Sequence, residues 1–279
     1  MGPADGLEYV FDLYDPAEGH SVATRLEELN SETYHRLLSH ACTEPDFAYI
    51  GSVGYGASRG ELCGFSARAL SSHSISSSSA LLPDSLNTGD HAVIMESKVH
   101  RYRLNSVPSA GFLPGGWIGY LSYEFGYTRE IRLTNQAPPT PFPSLSAGFY
   151  LWTASYNRKT NEYFLWVHTE CPAETRSQID QWLSREPAAE KASWAMTSRF
   201  EPRQSSSSFQ ASVKKVRDYI EAGDCYQANL SQEFYGHYRG EPWLAFKALA
   251  DANPTPYSPK LTTPWQPSWK PQTKTAPRT

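Results

Sequence analysis

The sequence has few cysteines and lacks a long apolar run. Four cysteines, Cys42, Cys63, Cys171 and Cys225, are spread through 279 residues without a C-x-x-C pair. We therefore expect neither a disulfide framework nor a zinc site of the common cysteine type. Free thiols suit a reducing compartment, so the cytoplasm is the expected location. Because no run of about 18 apolar residues occurs, no membrane partner is predicted.

Excess positive charge and a leader sequence are also missing. The 25 Lys and Arg residues are outnumbered by 29 Asp and Glu residues, and no basic stripe occurs, which argues against a nucleic-acid partner. The first 19 residues lack the basic start of a signal peptide. The hydrophobic fraction of 39% is sufficient for a core, and the length fits one large domain or two smaller ones.

The strongest local pattern is a helix predicted over residues 209–222. Phe209, Val213, Val216 and Ile220 recur at the spacing that lines one helical face. Ser207 or Ser208 can cap the first N–H groups. Gly223 follows where a left-handed terminal residue is favoured.

A strand is predicted directly after this helix, over residues 226–234. Its second face carries Cys225, Gln227, Asn229 and Ser231, which are polar but uncharged. Such groups need hydrogen-bond partners when buried. They therefore indicate either a structural polar network or direct ligand contact.

A second distinctive segment covers residues 111–127. Gly115 and Gly116 allow close backbone approach, and an aromatic strand follows from Trp117 to Leu121. The glycine spacing is not that of a phosphate-binding loop.

The remaining elements are predicted from apolar periodicity and turn residues. Residues 71–90 are serine-rich and predicted to form an exposed loop, and residues 92–96 fit either a strand or the start of a helix. Glu44 and Asp46 are interpreted as surface charges. Further strands are predicted at 7–13, 47–53, 62–67, 147–155 and 162–168, the last two as a hairpin, and further helices through 22–29, at 172–184 and at 243–252.

The block GDCYQANLSQEF at residues 223–234 resembles the start of the chorismate-binding domain of aminodeoxychorismate synthase component I. Anthranilate synthase component I has a similar helix, glycine and strand, but the order Tyr226-Gln227 and Asn229-Leu230 is more similar to the aminodeoxychorismate branch. Residues 115–127 and 253–257 also match family motifs. Beyond Ser258 the resemblance ends.

The resemblance implies an α+β fold with antiparallel sheets and flanking helices. It divides the chain into an N-terminal domain over 1–184, a linker over 185–207 and an incomplete chorismate-binding domain over 208–258. The proline-dense residues 259–279 are predicted to be disordered.

The implied activity is amination of chorismate to 4-amino-4-deoxychorismate, on the route to 4-aminobenzoate and folate. The family uses Mg²⁺ and ammonia from a glutamine amidotransferase partner, component II. Its catalytic acid/base groups and metal ligands lie in a later part of the family sequence. No catalytic or metal-binding residue is therefore assigned here, and a C-terminally truncated, inactive form is expected, with a natural short form as the alternative.

The resemblance also implies a tryptophan effector site. Ser52, Ser58 and Arg59 stand where the family has a pocket serine and a Ser-Arg pair. Pro256, Tyr257 and Ser258 stand at a Pro-aromatic-Ser stretch. Hydroxyl and backbone groups suit an amino-acid zwitterion, and proline and aromatic faces suit an indole.

Two departures from the family pattern bear on this site, because Ala57 and Gly60 replace aromatic residues beside Ser58 and Arg59. A solvated turn is the other interpretation of that pair. For the whole chain, anthranilate synthase component I of tryptophan synthesis and a non-enzymatic tryptophan-binding remnant remain as alternatives.

Overall fold

A computed structural model describes residues 8–14, 21–51, 60–75, 88–103, 111–128, 142–187, 193–253 and 258–262. The chain divides into two compact units. Unit 1 comprises residues 1–189 with 250–279, and unit 2 comprises residues 190–249. The helices and antiparallel strands confirm the predicted α+β class.

Unit 1 is built on a seven-stranded antiparallel sheet and a three-stranded antiparallel sheet. The larger sheet has the order β1-β2-β9-β8-β4-β3-β14, and the smaller has the order β5-β7-β6. The strands of these two sheets are β1 Glu8–Tyr14, β2 Ser21–Leu29, β3 Ala48–Ile50, β4 Leu62–Ser66, β5 Ser71–Ile75, β6 Gly116–Leu121, β7 Leu145–Tyr150, β8 Trp152–Asn157, β9 Glu162–Val167 and β14 Lys260–Leu261.

The helix predicted through residues 22–29 is wrong, because these residues form strand β2. Leu26 and Leu29 lie on opposite faces of the strand, yet both are buried. A strand covered on both faces buries residues of either parity, so its apolar spacing can resemble that of a helix. Leu26 packs with Phe112 and Trp166.

Helices α1 Ser31–Ala41 and α3 Ala173–Ser184 cover one face of the larger sheet. The side chains of Leu37 and Ile179 are fully buried. The ring of Trp182 lies 6.1 Å from that of Trp152 on β8. The α3 prediction is therefore confirmed, as is the β8–β9 hairpin, in which Asn161 takes a left-handed φ of 62°.

The three-stranded sheet corrects two further predictions. Part of the loop predicted over 71–90 is strand β5. Helix α2, Thr88–Arg101, contains residues 92–96, so the helical alternative is correct for that segment. The predicted 147–155 strand is two strands, because the chain passes from one sheet to the other at Leu151, whose carbonyl accepts a hydrogen bond from His168 at 2.8 Å. A 3-10 helix, Tyr123–Thr128, follows β6.

Unit 2 contains helix α4 Ser206–Ala222 and two short strand pairs. β10 Ala195–Met196 pairs with β13 Tyr238–Arg239, and β11 Glu201–Pro202 pairs with β12 Phe234–Tyr235. Helix α5, Pro242–Ala252, confirms the prediction at 243–252. The left-handed Gly223 cap of α4 is also confirmed, with φ of 79°, although the N-cap is Ser205.

The strand predicted over residues 226–234 is wrong except at its last residue, Phe234. Tyr226 is 92% exposed. A strand needs partners for its N–H and C=O groups. Of residues 226–234, Phe234 alone lies in a strand pair, on β11, and the Glu233 carbonyl beside it accepts the N–H of Arg203. Residues 225–233 lie outside regular structure.

The predicted segment boundaries remain a prediction, but the structure differs from them at two places. Residues 195–202, within the expected 185–207 linker, pair within unit 2. Lys260 and Leu261, within the expected disordered tail, pair with Tyr49 and Ala48 on β3. Within the described ranges, no helix combines the length and apolarity required to cross a bilayer.

Candidate functional site

A cavity in unit 1 is enclosed by both sheets near the β3–β14 edge. β14 and β3 supply one wall, and the outward faces of β5, β6 and β7 supply another. The lining is mixed in polarity, and the cavity is partly open to solvent. Its enclosed space of about 20 Å³ is close to what one water molecule requires and far below that of a small-molecule pocket. It consists of Asp46, Ala48, Ala69, Ser72, Ile118, Gly119, Ser146, Ala147, Gly148, Tyr150, Leu261 and Thr262.

Asp46 holds the loop beside this cavity. Its carboxylate accepts the backbone N–H groups of Arg68, at 2.8 Å, and Ala69, at 2.5 Å. These bonds support Arg68 at a positive φ of 56°, a conformation that a non-glycine residue rarely adopts. Asp46 thus fixes the backbone at one end of the cavity.

Tyr150 forms the second polar contact of the lining. Its hydroxyl donates to the backbone carbonyl of Asp46 at 2.6 Å. Burial raises the pKa of Tyr150 well above its ordinary value, with a smaller contribution from the Asp46 charge. The phenol therefore remains a neutral hydrogen-bond donor at physiological pH.

Glu44 and Asp46, interpreted from the sequence as surface charges, are partly exposed and also take part in structural contacts. The side chain of Glu44 is 23% exposed and lies 3.7 Å from the Arg68 guanidinium. Burial raises the pKa of Glu44, and the Arg68 charge opposes this shift. The Arg68 guanidinium also forms an ion pair with Glu174 on α3 at 2.6 Å. Arg68 therefore connects the loop at residues 68–69 to Glu44 and to helix α3.

The structure describes one of the six predicted effector-site residues. Ser52, Ser58, Arg59, Pro256 and Tyr257 lie outside the described residues. The N–H of Ser258 donates to the carbonyl of Gly51 at 2.5 Å. The two sequence segments that carry the prediction therefore meet at this edge, while the ligand contacts themselves stay a prediction.

Asp46, Ser146 and Tyr150 were not identified as candidate residues from the sequence. The alternation of Ser146, Gly148 and Tyr150 in β7 could have indicated a polar face. The pairing of β14 with β3 had no local signal, because it joins residues about 210 positions apart.

The assignment of metal ligands stays a prediction. Within them, no group of three or more His, Cys, Asp or Glu side chains is arranged to hold a metal ion. In the block after α4, Gln232 donates to the carbonyl of Gln204, and Glu233 pairs with Arg203 at 2.7 Å. Both contacts are structural and exposed.

Comparison with known proteins places this geometry in context. A family model described as chorismate binding enzyme matches residues 87–266, more than half of the chain and eight residues past Ser258. The match thus extends beyond the point where the sequence resemblance was expected to end.

Curated relatives match a shorter part of the chain. Aminodeoxychorismate synthase component 1 of Klebsiella aerogenes is 29% identical over 151 residues, 54% of this chain and 32% of the relative. The Escherichia coli protein of the same name is 26% identical over 144 residues, 52% of this chain and 31% of the relative. Anthranilate synthase component 1 of Neisseria meningitidis serogroup B is 26% identical over 188 residues, which are 61% of this chain and 37% of the relative. The chain therefore spans about a third of the length of these relatives.

Proposed function

The chain belongs to the chorismate binding enzyme family, and we propose that it serves as component I of aminodeoxychorismate synthase. The observation that carries the proposal is the match over residues 87–266, which contains α4, its Gly223 cap and the block at 223–234. The relatives of that name, at 26–29% identity, support the same branch. The reaction would aminate chorismate to 4-amino-4-deoxychorismate.

Such a reaction needs groups beyond those that the described residues supply. Chorismate carries two carboxylates, and ammonia must attack as hydroxide leaves. A divalent cation can clamp a carboxylate and lower the charge cost. Since the described residues include no group of three or more His, Cys, Asp or Glu side chains that could hold a metal ion, we derive no catalytic step through Mg²⁺. Ammonia would come from a glutamine amidotransferase partner, component II.

We assign the β3–β14 edge of unit 1 to tryptophan binding, with Ser52, Ser58, Arg59, Pro256, Tyr257 and Ser258 as the contact residues. Support comes from the Ser258–Gly51 hydrogen bond, which draws both segments together. Free Cys42, Cys63, Cys171 and Cys225 support a cytoplasmic location.

The enzymatic proposal is tested with chimeras. Residues 1–258 are joined in parallel to the later part of the Klebsiella aerogenes relative and to the later part of the Neisseria meningitidis relative, and each chimera is incubated with chorismate, ammonia and Mg²⁺. Because the later part supplies the catalytic groups, the branch is judged by which chimera turns over faster. We expect 4-amino-4-deoxychorismate, identified by mass, while the 279-residue chain alone gives no turnover above buffer. Faster turnover by the Neisseria meningitidis chimera, with anthranilate identified by mass and fluorescence, would instead support the anthranilate alternative. A folded chimera that forms neither product would support the non-enzymatic remnant.

The effector assignment is tested by calorimetric titration of the chain with L-tryptophan. Tyr257→Ala and Arg59→Ala are expected to weaken binding by about tenfold or more, since each removes a direct ligand contact. Arg185→Ala, which removes an exposed side chain bonded to Gln181, is the matched control. Equal affinity in all four proteins would exclude this assignment.

A further inference from the structure

Two histidines of unit 1 meet outside the cavity. His73 lies on the edge strand β5, and His91 lies in the first turns of α2. The Nε2 atom of His73 is 2.8 Å from the Nδ1 atom of His91, and the ring centroids are 4.9 Å apart. Both side chains are half-buried, so one side of the pair remains open to water.

At 2.8 Å the two rings share an N–H···N hydrogen bond, in which one of the facing nitrogens carries the proton. In a tetrahedral zinc site with Zn–N bonds of 2.0–2.1 Å, ligand nitrogens are about 3.4 Å apart. The ion would replace this hydrogen bond: the shared proton moves to the other nitrogen of its own ring, which leaves a lone pair on each facing nitrogen, and the pair opens by roughly 0.6 Å. Water would fill the remaining positions.

The chemistry of the pair favours a borderline transition metal over Mg²⁺. Both donors are imidazole nitrogens, whereas Mg²⁺ prefers oxygen ligands. Burial, with a contribution from His91, lowers the pKa of His73, so its lone pair is available at neutral pH. The Trp117 ring lies edge-on to His73 at 6.4 Å and restricts its orientation.

We propose that His73 and His91 form a binding site for Zn²⁺ or a similar divalent transition metal. The ion would fasten α2 to the edge of the three-stranded sheet. Met95 already packs with Ile75 and Leu145 on that face, and the Trp117 indole donates to the carbonyl of Met95. The ion would reinforce this packing, on the face of the sheet opposite Ser72 and Ser146. The proposal is independent of the proposed enzymatic function.

The test is calorimetric titration of the full 279-residue chain with Zn²⁺ in excess Mg²⁺. We expect one ion per chain and a rise in Tm on binding, because the ligand favours the folded state. His73→Ala and His91→Phe should each weaken Zn²⁺ binding by about tenfold or more, since only one imidazole donor remains. His91→Phe keeps an aromatic ring in place, and near-ultraviolet circular dichroism with EDTA checks that both variants are folded.

The matched control is His100→Ala on the same helix. The His100 side chain is 66% exposed and lies 3.5 Å from Glu96, so it represents adventitious surface binding. This variant should bind Zn²⁺ as the parent does, and affinity should follow the order Cu²⁺ over Zn²⁺ over Mn²⁺. Absence of binding by the parent, unchanged binding by His91→Phe, or loss of binding in His100→Ala would each overturn the proposal.

Discussion

At the scale of single residues, a buried imidazole affects how unit 1 responds to acid. His168 is 3% exposed, and its Nδ1 accepts the N–H of Glu170 at 3.1 Å, which requires the neutral ring. Burial lowers the pKa of His168, and the Glu170 charge opposes this effect. The unfolded chain therefore binds a proton more readily than the folded protein does.

The first prediction is that part of the stability of unit 1 is lost as pH falls below about 6.5, the ordinary pKa of histidine. The stability that the neutral His168 ring contributes is fully present above that pH. It decreases as pH falls towards the lowered pKa of His168 in the folded protein. His168→Asn keeps an acceptor but cannot be protonated, so its free energy of unfolding should depend less on pH between 7.5 and 5. Urea unfolding at several pH values measures this.

At pH 7.5 the same variant is expected to cost about 0.5–3 kcal/mol. The cause is the loss of ring contacts with Tyr102 and Trp166, at 5.7 and 6.0 Å. His35→Asn, on α1, is the control for histidine loss elsewhere. An unchanged pH dependence in His168→Asn would contradict the prediction.

Gly115 supports a second prediction, because the chain passes close to β7 there. A Cβ atom on Gly115 would lie 2.2 Å from the carbonyl oxygen of Tyr150 and 2.5 Å from the Trp166 ring. Gly115→Ala should therefore destabilise the protein by about 1–3 kcal/mol. Gly126→Ala, whose Cβ would have nothing within 4 Å, should stay within about 0.5 kcal/mol of the parent. Equal Tm values for both variants would show that β7 shifts to accommodate the added Cβ atom at little cost in stability.

At the scale of elements, α4 presents an apolar face that the described residues cover only in part. None of its residues is buried, and Val213 and Ile220 are 40% and 41% exposed. Covering a large apolar side chain is worth roughly 1.5–3 kcal/mol. This face therefore favours association with any complementary surface.

The third prediction is that Val213→Lys with Ile220→Gln lowers self-association of the chain while preserving its helix content. Lys and Gln are at least as favourable in helices as Val and Ile. Light scattering should show a smaller average mass, and far-ultraviolet circular dichroism should be unchanged. Lys214→Gln with Asp218→Asn, which removes only the exposed 2.8 Å ion pair of α4, should leave association as in the parent. A similar decrease in both double variants would contradict the role of the apolar face.

Elements with local signals were predictable from the sequence. The spacing from Phe209 to Ile220 and the Gly223 terminus identify α4, and the turn before Glu162 identifies the β8–β9 hairpin. β2 was mistaken for a helix because it is buried on both faces. Apolar and polar residues alternate over 226–234 as they do in a strand. A strand also needs neighbouring strands to pair with, and a local sequence pattern cannot reveal these.

The candidate site was predictable only in part. Family motifs indicated Ser52 and the stretch 256–258, and a hydrogen bond joins Gly51, the neighbour of Ser52, to Ser258. Asp46 and Tyr150 escaped notice because their roles arise from contacts across 22 and 104 residues. Chain folding, rather than motif spacing, brings those groups together.

At the scale of the whole molecule, unit 1 is completed by residues that follow unit 2 in the chain. The N–H of Thr262 donates to the carbonyl of the fully buried Phe47 at 2.8 Å. Together with the Ser258–Gly51 bond, it fastens β14 along β3. The stability of the larger sheet at β3 therefore depends on β14, which lies about 210 residues later in the chain.

The fourth prediction is that Thr262→Pro destabilises unit 1 by about 1–3 kcal/mol, because a buried carbonyl loses its donor. Thr262→Ala is the matched control, since it removes only the hydroxyl that accepts from Lys260. Thermal unfolding should separate the two variants. If Thr262→Pro unfolds at the temperature of Thr262→Ala, the edge pairing contributes little.

The pairing of β14 with β3 also has a consequence for synthesis on the ribosome. Strand β3 leaves the ribosome about 210 residues before its outer neighbour does. At 5–20 residues per second, the outer edge of β3 waits roughly 10–40 s for that neighbour. During this interval its backbone groups face water or a chaperone, and an exposed strand edge can pair with another nascent chain. The yield of native protein should therefore be sensitive to the speed of translation between codons 50 and 262.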